Sequence, residues 1–301
     1  MARAKTADED IVFQECHWRY PWQKKLQEPM EDTHLVLHVR AGPEHRGWPV
    51  RRSRGLCAAL NRKTLVWVGP EDYETDFHEK FSRRLQITGE AFFFAKDSEW
   101  LADSMHRARS RGLYPNEEEL KAMNPTKYRN TVLPPSGVDH WMQHEAKRKS
   151  QQAKDPTPGQ AWFSDLQQGP LGPATPGPLI PSCLTHFSTW SHLKNRRMLG
   201  VEALVAHGWH LRSEFSDDHA SRLSPFIELQ SEEHLQQLCG NGYALSVLAE
   251  WYLYVLSNTV RRVAMEISRP PSLKRKGDSG LLEEEEHEVF TFKRSSKPSA
   301  G

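Results

Sequence analysis

Apolar residues in this chain fall in short runs near the N-terminus and in longer, helically spaced sets further on. Ile11-Val12-Phe13 and residues 34–39 are short apolar runs suited to buried strands. Residues 22–30 between them are polar with a few apolar positions and predict a short helix. Residues 56–60 and 64–68 flank Asn61-Arg62-Lys63 and predict a hairpin. From Glu71 the periodicity turns helical, over 72–85 and 97–113, with Asp or Ser near each start. Ala91-Phe92-Phe93-Phe94-Ala95 between them predicts a strand or a buried turn, and 117–123 a further short helix. Residues 147–181 are rich in Pro, Gly and Gln and predict a loop or linker, partly disordered. Residues 197–207 have helical spacing and stop at Gly208. Ser231-Glu232-Glu233 opens a short helix running into Gly240, and 244–267 predicts a long helix, apolar and then basic at Arg261 and Arg262. Beyond Pro270, Lys274-Arg275-Lys276 and the acidic run 283–286 predict a disordered tail.

Composition narrows the class. Hydrophobic residues make up 37% and charged residues 26% of 301 positions, enough for a core, and a mean hydropathy of −0.71 shows long polar stretches diluting it. A net charge of +1 supplies no global field, so affinity for nucleic acid must come from local patches. Cys16, Cys57, Cys183 and Cys239 are scattered without a disulfide framework, which suits a reduced, intracellular setting. The N-terminus lacks the apolar run of a secretory signal. The most apolar window, 243–256, is shorter than the roughly 20 residues a bilayer requires and contains Glu250, so no membrane association is expected.

One segment is strongly basic. Residues 40–63 hold Arg40, Arg46, Arg51, Arg52, Arg54, Arg62 and Lys63 against the single acid Glu44. On an extended strand, Arg52 and Arg54 share a face. Guanidinium groups so placed can grip phosphate or carboxylate, or simply form a solvated edge that discourages strand pairing. Physics alone leaves both readings open. Cys183 with His186, and His34 with His38, form no complete metal-ligand set and read as scattered surface side chains. Lys147-Arg148-Lys149 and Lys274-Arg275-Lys276 read equally as nuclear-import or DNA-backbone patches and as solvated runs.

Gly47-Trp48-Pro49-Val50-Arg51-Arg52-Ser53-Arg54 resembles the Gly-x-Pro-Gln-x-Arg-x-Arg element of cytosine-5 DNA methyltransferases, with Val50 in place of Gln. About 35 residues upstream, Glu15-Cys16-His17 after an apolar run is similar to that family's Glu-Asn-Val, keeping only the glutamate. Gly240-Asn241-Gly242 is similar to the turn that opens the family's last helix, where Asn and Gly would supply positive φ. The stretch from Arg196-Arg197 through Glu202 to Gly208-Trp209 is similar to the family's Arg-x-Leu-Thr-x-x-Glu…Gly-Phe-Pro segment, with His210 for Pro. The resemblance spans roughly residues 10–265. It implies that Glu15, Arg52 and Arg54 serve an extruded cytosine, that Gly240, Asn241 and Gly242 lie beside S-adenosylmethionine, and that the partner is double-stranded DNA in the nucleus.

The resemblance also implies a fold: an α/β protein with a partial, mostly parallel Rossmann-like methyltransferase sheet and an irregular α+β target-recognition insert. Residues 1–70 would be the last catalytic strands, 71–190 the recognition region with the linker 147–181, 191–268 the closing segment and final helix, and 269–301 a tail. The family's nucleophile lies in a Pro-Cys loop, and no Pro-Cys pair exists here; Pro181-Ser182-Cys183 is nearest and lies beyond the arginine element. The glycine-rich cofactor turn belongs upstream of Glu15, where about a dozen residues stand. The expectation is therefore a methyltransferase-like chain, inactive alone and unstable or sticky unless a complementary half, the tail or the recognition insert covers the gap. The alternatives are a non-catalytic DNA-binding module of that fold, and a decayed or incompletely predicted reading frame with no function of its own.

Overall fold

The computed structural model describes residues 9–85, 87–156, 160–171, 176–209, 211 and 224–262; the charged tail expected after Pro270 and His210 lie outside them. Strands β1 (Ile11–His17), β2 (His34–Ala41) and β3 (Arg54–Asn61) form one sheet in the order β1-β3-β2, with β3 antiparallel to both neighbours. Along β3, Leu56, Ala58 and Leu60 face one side, and Cys57 and Ala59 face the other. The first side packs on α10 (Leu245–Ser257) through Val247, Trp251 and Val255. The second packs on Leu26 and Met30, from a π-turn (Gln23–Gln27) and α1 (Glu28–Met30). A strand covered on both faces is unbroken in its apolar sequence, which is why β3 does not alternate.

Two sequence expectations change here. The sheet was expected to be mostly parallel, yet every ladder among the described strands is antiparallel; β1 and β2 run the same way only because β3 separates them. No helical crossover joins β2 to β3, and parallel neighbours would need one. The predicted hairpin of β3 with β4 (Leu65–Trp67) is also absent, because β1 and β2 already occupy both edges of β3. β4 pairs instead with β8 (Thr259–Arg261), Leu65 opposite Arg261, so the end of the described chain closes back onto its first sheet region.

That pairing also shortens the last helix, which stops at Ser257 rather than near residue 267. Asn258 Nδ2 donates to the Tyr254 carbonyl (2.8 Å) and Thr259 Oγ1 to the Val255 carbonyl (2.7 Å), capturing carbonyls the next turn would have used.

The middle of the chain is helical: α2 (Tyr73–Phe81), α3 (Asp97–Arg109), α4 (Glu117–Ala122), α5 (Pro125–Val132) and α6 (Pro135–Lys154). The Phe-rich run forms a 3-10 turn (Gly89–Phe92) with Phe92 and Phe93 buried. α5 and α6 were not legible as helices, although each starts with proline at its first turn, where proline is tolerated. α6 runs only into the start of the expected linker, ending at Lys154. Past it, β5 (Phe163–Asp165) is fully buried and pairs with β6 (Thr189–Ser191), which pairs with β7 (Arg196–Arg197). α7 (Gly200–Ala206), α8 (Ser224–Glu228) and α9 (Glu232–Asn241) complete the described chain. Val50, Phe163, Ile180, Cys183, Met198 and Cys239 share a core, so the arginine element is bolted to the later half of the chain. The bolt is explicit: Arg51 N donates to the Ile180 carbonyl (2.9 Å) and Ile180 N to the Pro49 carbonyl (2.8 Å).

Two histidines make the fold acid-sensitive. His38 on β2 stacks on Trp22 (ring centroids 4.3 Å apart), and burial pushes its imidazole down to about 4. Burial does the same to His192, also to about 4, against the opposing pull of Glu145 at 3.1 Å. Both rings are neutral when folded and free to charge when unfolded. Their stabilisation is complete above the ordinary value near 6.5 and is lost as pH falls towards 4. Partial exposure of His38 softens its share, so we expect the two together to remove roughly 3–5 kcal/mol between pH 7 and pH 4. Urea midpoints across that range measure it. His38→Gln should flatten the curve by about half, and an unchanged slope would show that the ring is not buried neutral.

Candidate functional site

Glu15 near the end of β1 and Arg54 at the start of β3 sit on adjacent strands. Arg54 Nε lies 3.1 Å from Glu15 Oε1, and both side chains keep partial exposure. Burial raises the Glu15 carboxyl above its usual range, against the lowering influence of Arg54 and then Arg52. Burial, and next the Arg52 charge, lowers Arg54. Arg52, Arg54 and Glu15 line one small cavity with Tyr243, Ala244 and Val247, directly after Gly242. The three groups singled out from sequence therefore converge on one rim, across about 190 residues of chain.

Arg52 occupies that rim differently from expectation. It does not present its guanidinium alongside that of Arg54. It is 3% exposed, and its guanidinium donates to the carbonyls of Cys183 (2.9 Å), Gly240 (3.0 Å) and Gly242 (2.7 Å). Its backbone N–H donates to Glu44 (3.2 Å). Three main-chain acceptors leave it no fork for a phosphate.

The Gly-Asn-Gly corner also differs. Gly240 and Asn241 end α9, and Gly242 follows at φ −76°, so neither Asn241 nor Gly242 has the positive φ expected; Asn241 is exposed. Gly240 is required for another reason: a Cβ there would run into the backbone of Leu184 and Thr185. By contrast Gly47, at φ +81° and facing the Arg84 carbonyl, does need glycine, as the turn before the arginine element suggested.

On the outer side of the rim lies a cleft of about 490 Å³, lined in part by His17, Trp18, Arg40, Arg51, Ser53 and Arg54. Trp18 is 38% exposed and flanked by two guanidiniums, Arg19 at 4.5 Å and Arg40 at 4.3 Å from its ring. Arg40 Nε donates to Ser53 Oγ (3.0 Å), which fixes its direction. The acids in the cleft are occupied: Glu44 by the Arg52 N–H, and Asp165 by the N–H groups of Gln167 and Ser188. A half-exposed tryptophan carrying two guanidiniums over its ring, beside a basic groove, suits a phosphate with a base that exchanges for one guanidinium on the ring. Trp18 and Arg19 immediately follow the Glu15-Cys16-His17 motif, and their alternating aromatic and basic character was the available signal.

S-adenosylmethionine finds little room at this corner. The cavity between Glu15, Arg52 and Tyr243 is about 10 Å³, room for roughly one water. The Gly240 and Gly242 carbonyls are taken by Arg52, and Asn241 faces outward. The described residues do not fit that cofactor unaided.

No known family model matches the chain, and no curated protein sequence matches it. A solved structure with a distantly similar chain trace is a triple mutant of Spodoptera frugiperda DNMT2, at 10% sequence identity and a TM-score of 0.37, over 82% of this chain and 66% of that one. A likeness so distant assigns no residue a role.

Other sequence candidates separate. His186 is exposed, and His34 is buried beside Thr33, whose hydroxyl lies 2.8 Å from its Nδ1. Lys147 and Lys149 are exposed on α6, while Arg148 is engaged by Glu145 and Gln152. Cys183 gathers Cys239 and His207, a cluster that linear spacing hid. Among the described residues no helix is long and apolar enough to cross a membrane.

Proposed function

We propose that this chain is the base-recognising part of a cytosine-5 DNA methyltransferase-like protein, binding double-stranded DNA in a nuclear setting. The observation that carries the reading is the convergence of the Glu15–Arg54 pair with the Trp18–Arg40 cleft on one rim. In this reading Arg40 and Arg51 meet phosphates, Trp18 stacks on a base, and Glu15 with Arg54 reads the polar edge of an extruded cytosine. The raised carboxyl of Glu15 suits a group that exchanges a proton with a ring nitrogen. Methyl transfer from S-adenosylmethionine would require a complementary chain bringing the nucleophilic thiol and the cofactor pocket, with Asn241 turned towards it. The small corner cavity favours, for this chain alone, DNA binding without chemistry.

Filter binding to duplexes carrying a mismatched, easily extruded cytosine tests the reading. Trp18→Ala should weaken binding about tenfold, at the level of one lost stacking contact. Arg40→Ala should weaken all sequences alike and reduce the salt slope by about one. Equal affinity of wild type and both variants would end the proposal. Labelled-cofactor assays should show no transfer by the chain alone.

A further inference from the structure

We propose that Cys183, His207 and Cys239 form a site for a soft d10 cation, Zn2+ or Cu+. The three come from separate segments: the irregular stretch before β6, the residue after α7, and the last turn of α9. All are buried, at 0%, 2% and 1% exposure. Both sulfurs and one ring nitrogen lie within 4.8 Å of one another, and His207 Nδ1 is 3.4 Å from Cys239 Sγ. Neighbouring ligand atoms around tetrahedral zinc are about 3.5–3.8 Å apart, so the set closes when the His207 ring turns to bring its second nitrogen, Nε2, to the two sulfurs.

The surroundings are arranged as a metal site requires. His207 Nδ1 lies 2.7 Å from the Ala203 carbonyl, which places the ring proton there and leaves Nε2 as a lone pair. That Nε2 is buried and has no hydrogen-bond partner among the described residues. Both cysteine-bearing segments are pinned by one side chain, since Arg52 holds the Cys183 and Gly240 carbonyls. Gly240 lets α9 approach the backbone at 184–185 closely enough to bring the thiols together. The Arg52 guanidinium meets only backbone carbonyls among the described residues, a buried cation without a contacting anion. Binding displaces one proton from each thiol to solvent. The resulting centre is neutral with Zn2+ and singly negative with Cu+, and either places thiolate charge near Arg52. Three ligands complete the coordination of Cu+ and leave one position on Zn2+ for an outside donor such as water.

The full chain, purified under reducing conditions, should take up one ion. Added Co2+ should give a thiolate-to-metal charge-transfer band in the near ultraviolet if the site suits Zn2+. Competition with a coloured Cu+ chelator should show uptake if it suits Cu+. Cys183→Ser and Cys239→Ser should abolish the signal, His207→Gln should weaken uptake at least tenfold, and Cys16→Ser should keep it. If the cysteine variants fail to fold by circular dichroism, the wild-type chain decides alone. Uptake of neither ion by folded wild type overturns the site, as does purification of a metal-free protein with a Cys183–Cys239 disulfide.

Discussion

Arg52→Met is expected to cost about 3–5 kcal/mol of stability, lowering the melting temperature by roughly 6–15 °C. The substitution keeps most of the side chain's length and apolar stem, so it isolates the guanidinium. It leaves the carbonyls of Cys183, Gly240 and Gly242 without their donor in a site that excludes water. Each orphaned acceptor costs about 1–3 kcal/mol, partly offset because a buried charge no longer has to be desolvated. Arg52→Lys should recover less than half, since one ammonium cannot present a planar fork to three carbonyls. Arg54→Met is the comparison. Arg54 is 21% exposed in its side chain and meets one carboxylate, so its loss should cost at most about 1 kcal/mol and show itself in DNA affinity. Chemical denaturation of the variants measures both. If Arg52→Met melts like wild type while losing DNA binding, the clamp is wrongly identified and the guanidinium serves the ligand.

The contrast between these neighbouring arginines marks how far sequence reasoning reached. Alternation along an extended segment put Arg52 and Arg54 on one face, and both line one cavity, but the Arg52 guanidinium is spent on backbone carbonyls instead of standing beside that of Arg54; the glycine turn at Gly47 was legible from its local chemistry. Alternation could not say that three carbonyls from residues 183, 240 and 242 would fold over one guanidinium, because those partners are set by tertiary packing. The same limit explains β4. Its apolar run and the Asn61 turn predicted a hairpin, but strand pairing depends on which edges remain free, and β1 and β2 had taken both edges of β3. Helices α2, α3, α4 and α9 were legible through caps and periodicity; Asp72, Asn116 and Ser231 each accept a first-turn N–H as their types suggest. α6 was obscured because its polar surface merged with a Pro/Gly-rich stretch. Order and spacing led to the expectation that Glu15, the arginine element and the Gly-Asn-Gly corner share one rim; Glu15, Arg52 and Arg54 do line one cavity, while Asn241 is exposed outside its lining. Trp18 and the Cys183–His207–Cys239 cluster were missed, the first because its only signal was an aromatic and a basic residue following the glutamate motif, the second because its members are 24 and 32 residues apart.

Glu202→Ala should be as damaging as loss of Arg52, costing about 3–5 kcal/mol, for a reason the sequence half-disclosed. Glu202 was noticed as part of the Arg196-to-Trp209 segment, and it is 0% exposed. One oxygen accepts from Arg196 Nη2 (2.7 Å) and Ala95 N (2.8 Å), the other from Arg196 Nη1 (2.9 Å) and Leu199 N (2.8 Å). The carboxylate therefore does three things at once. It neutralises a buried guanidinium, satisfies the N–H that precedes α7, and ties the Phe-rich turn before Ala95 to that helix. Alanine would strand Arg196, itself 5% exposed and packed over the Phe93 ring at 4.9 Å, as an unpaired buried charge. Glu202→Gln keeps the shape but replaces one acceptor oxygen by an N–H donor facing two other donors, so it should still cost about 2 kcal/mol. Denaturant unfolding gives the magnitudes, and amide exchange at Ala95 and Leu199 should accelerate in both variants. A Glu202→Ala protein within about 1 kcal/mol of wild type would mean that Arg196 finds another partner and that the Phe-rich turn is anchored by packing alone.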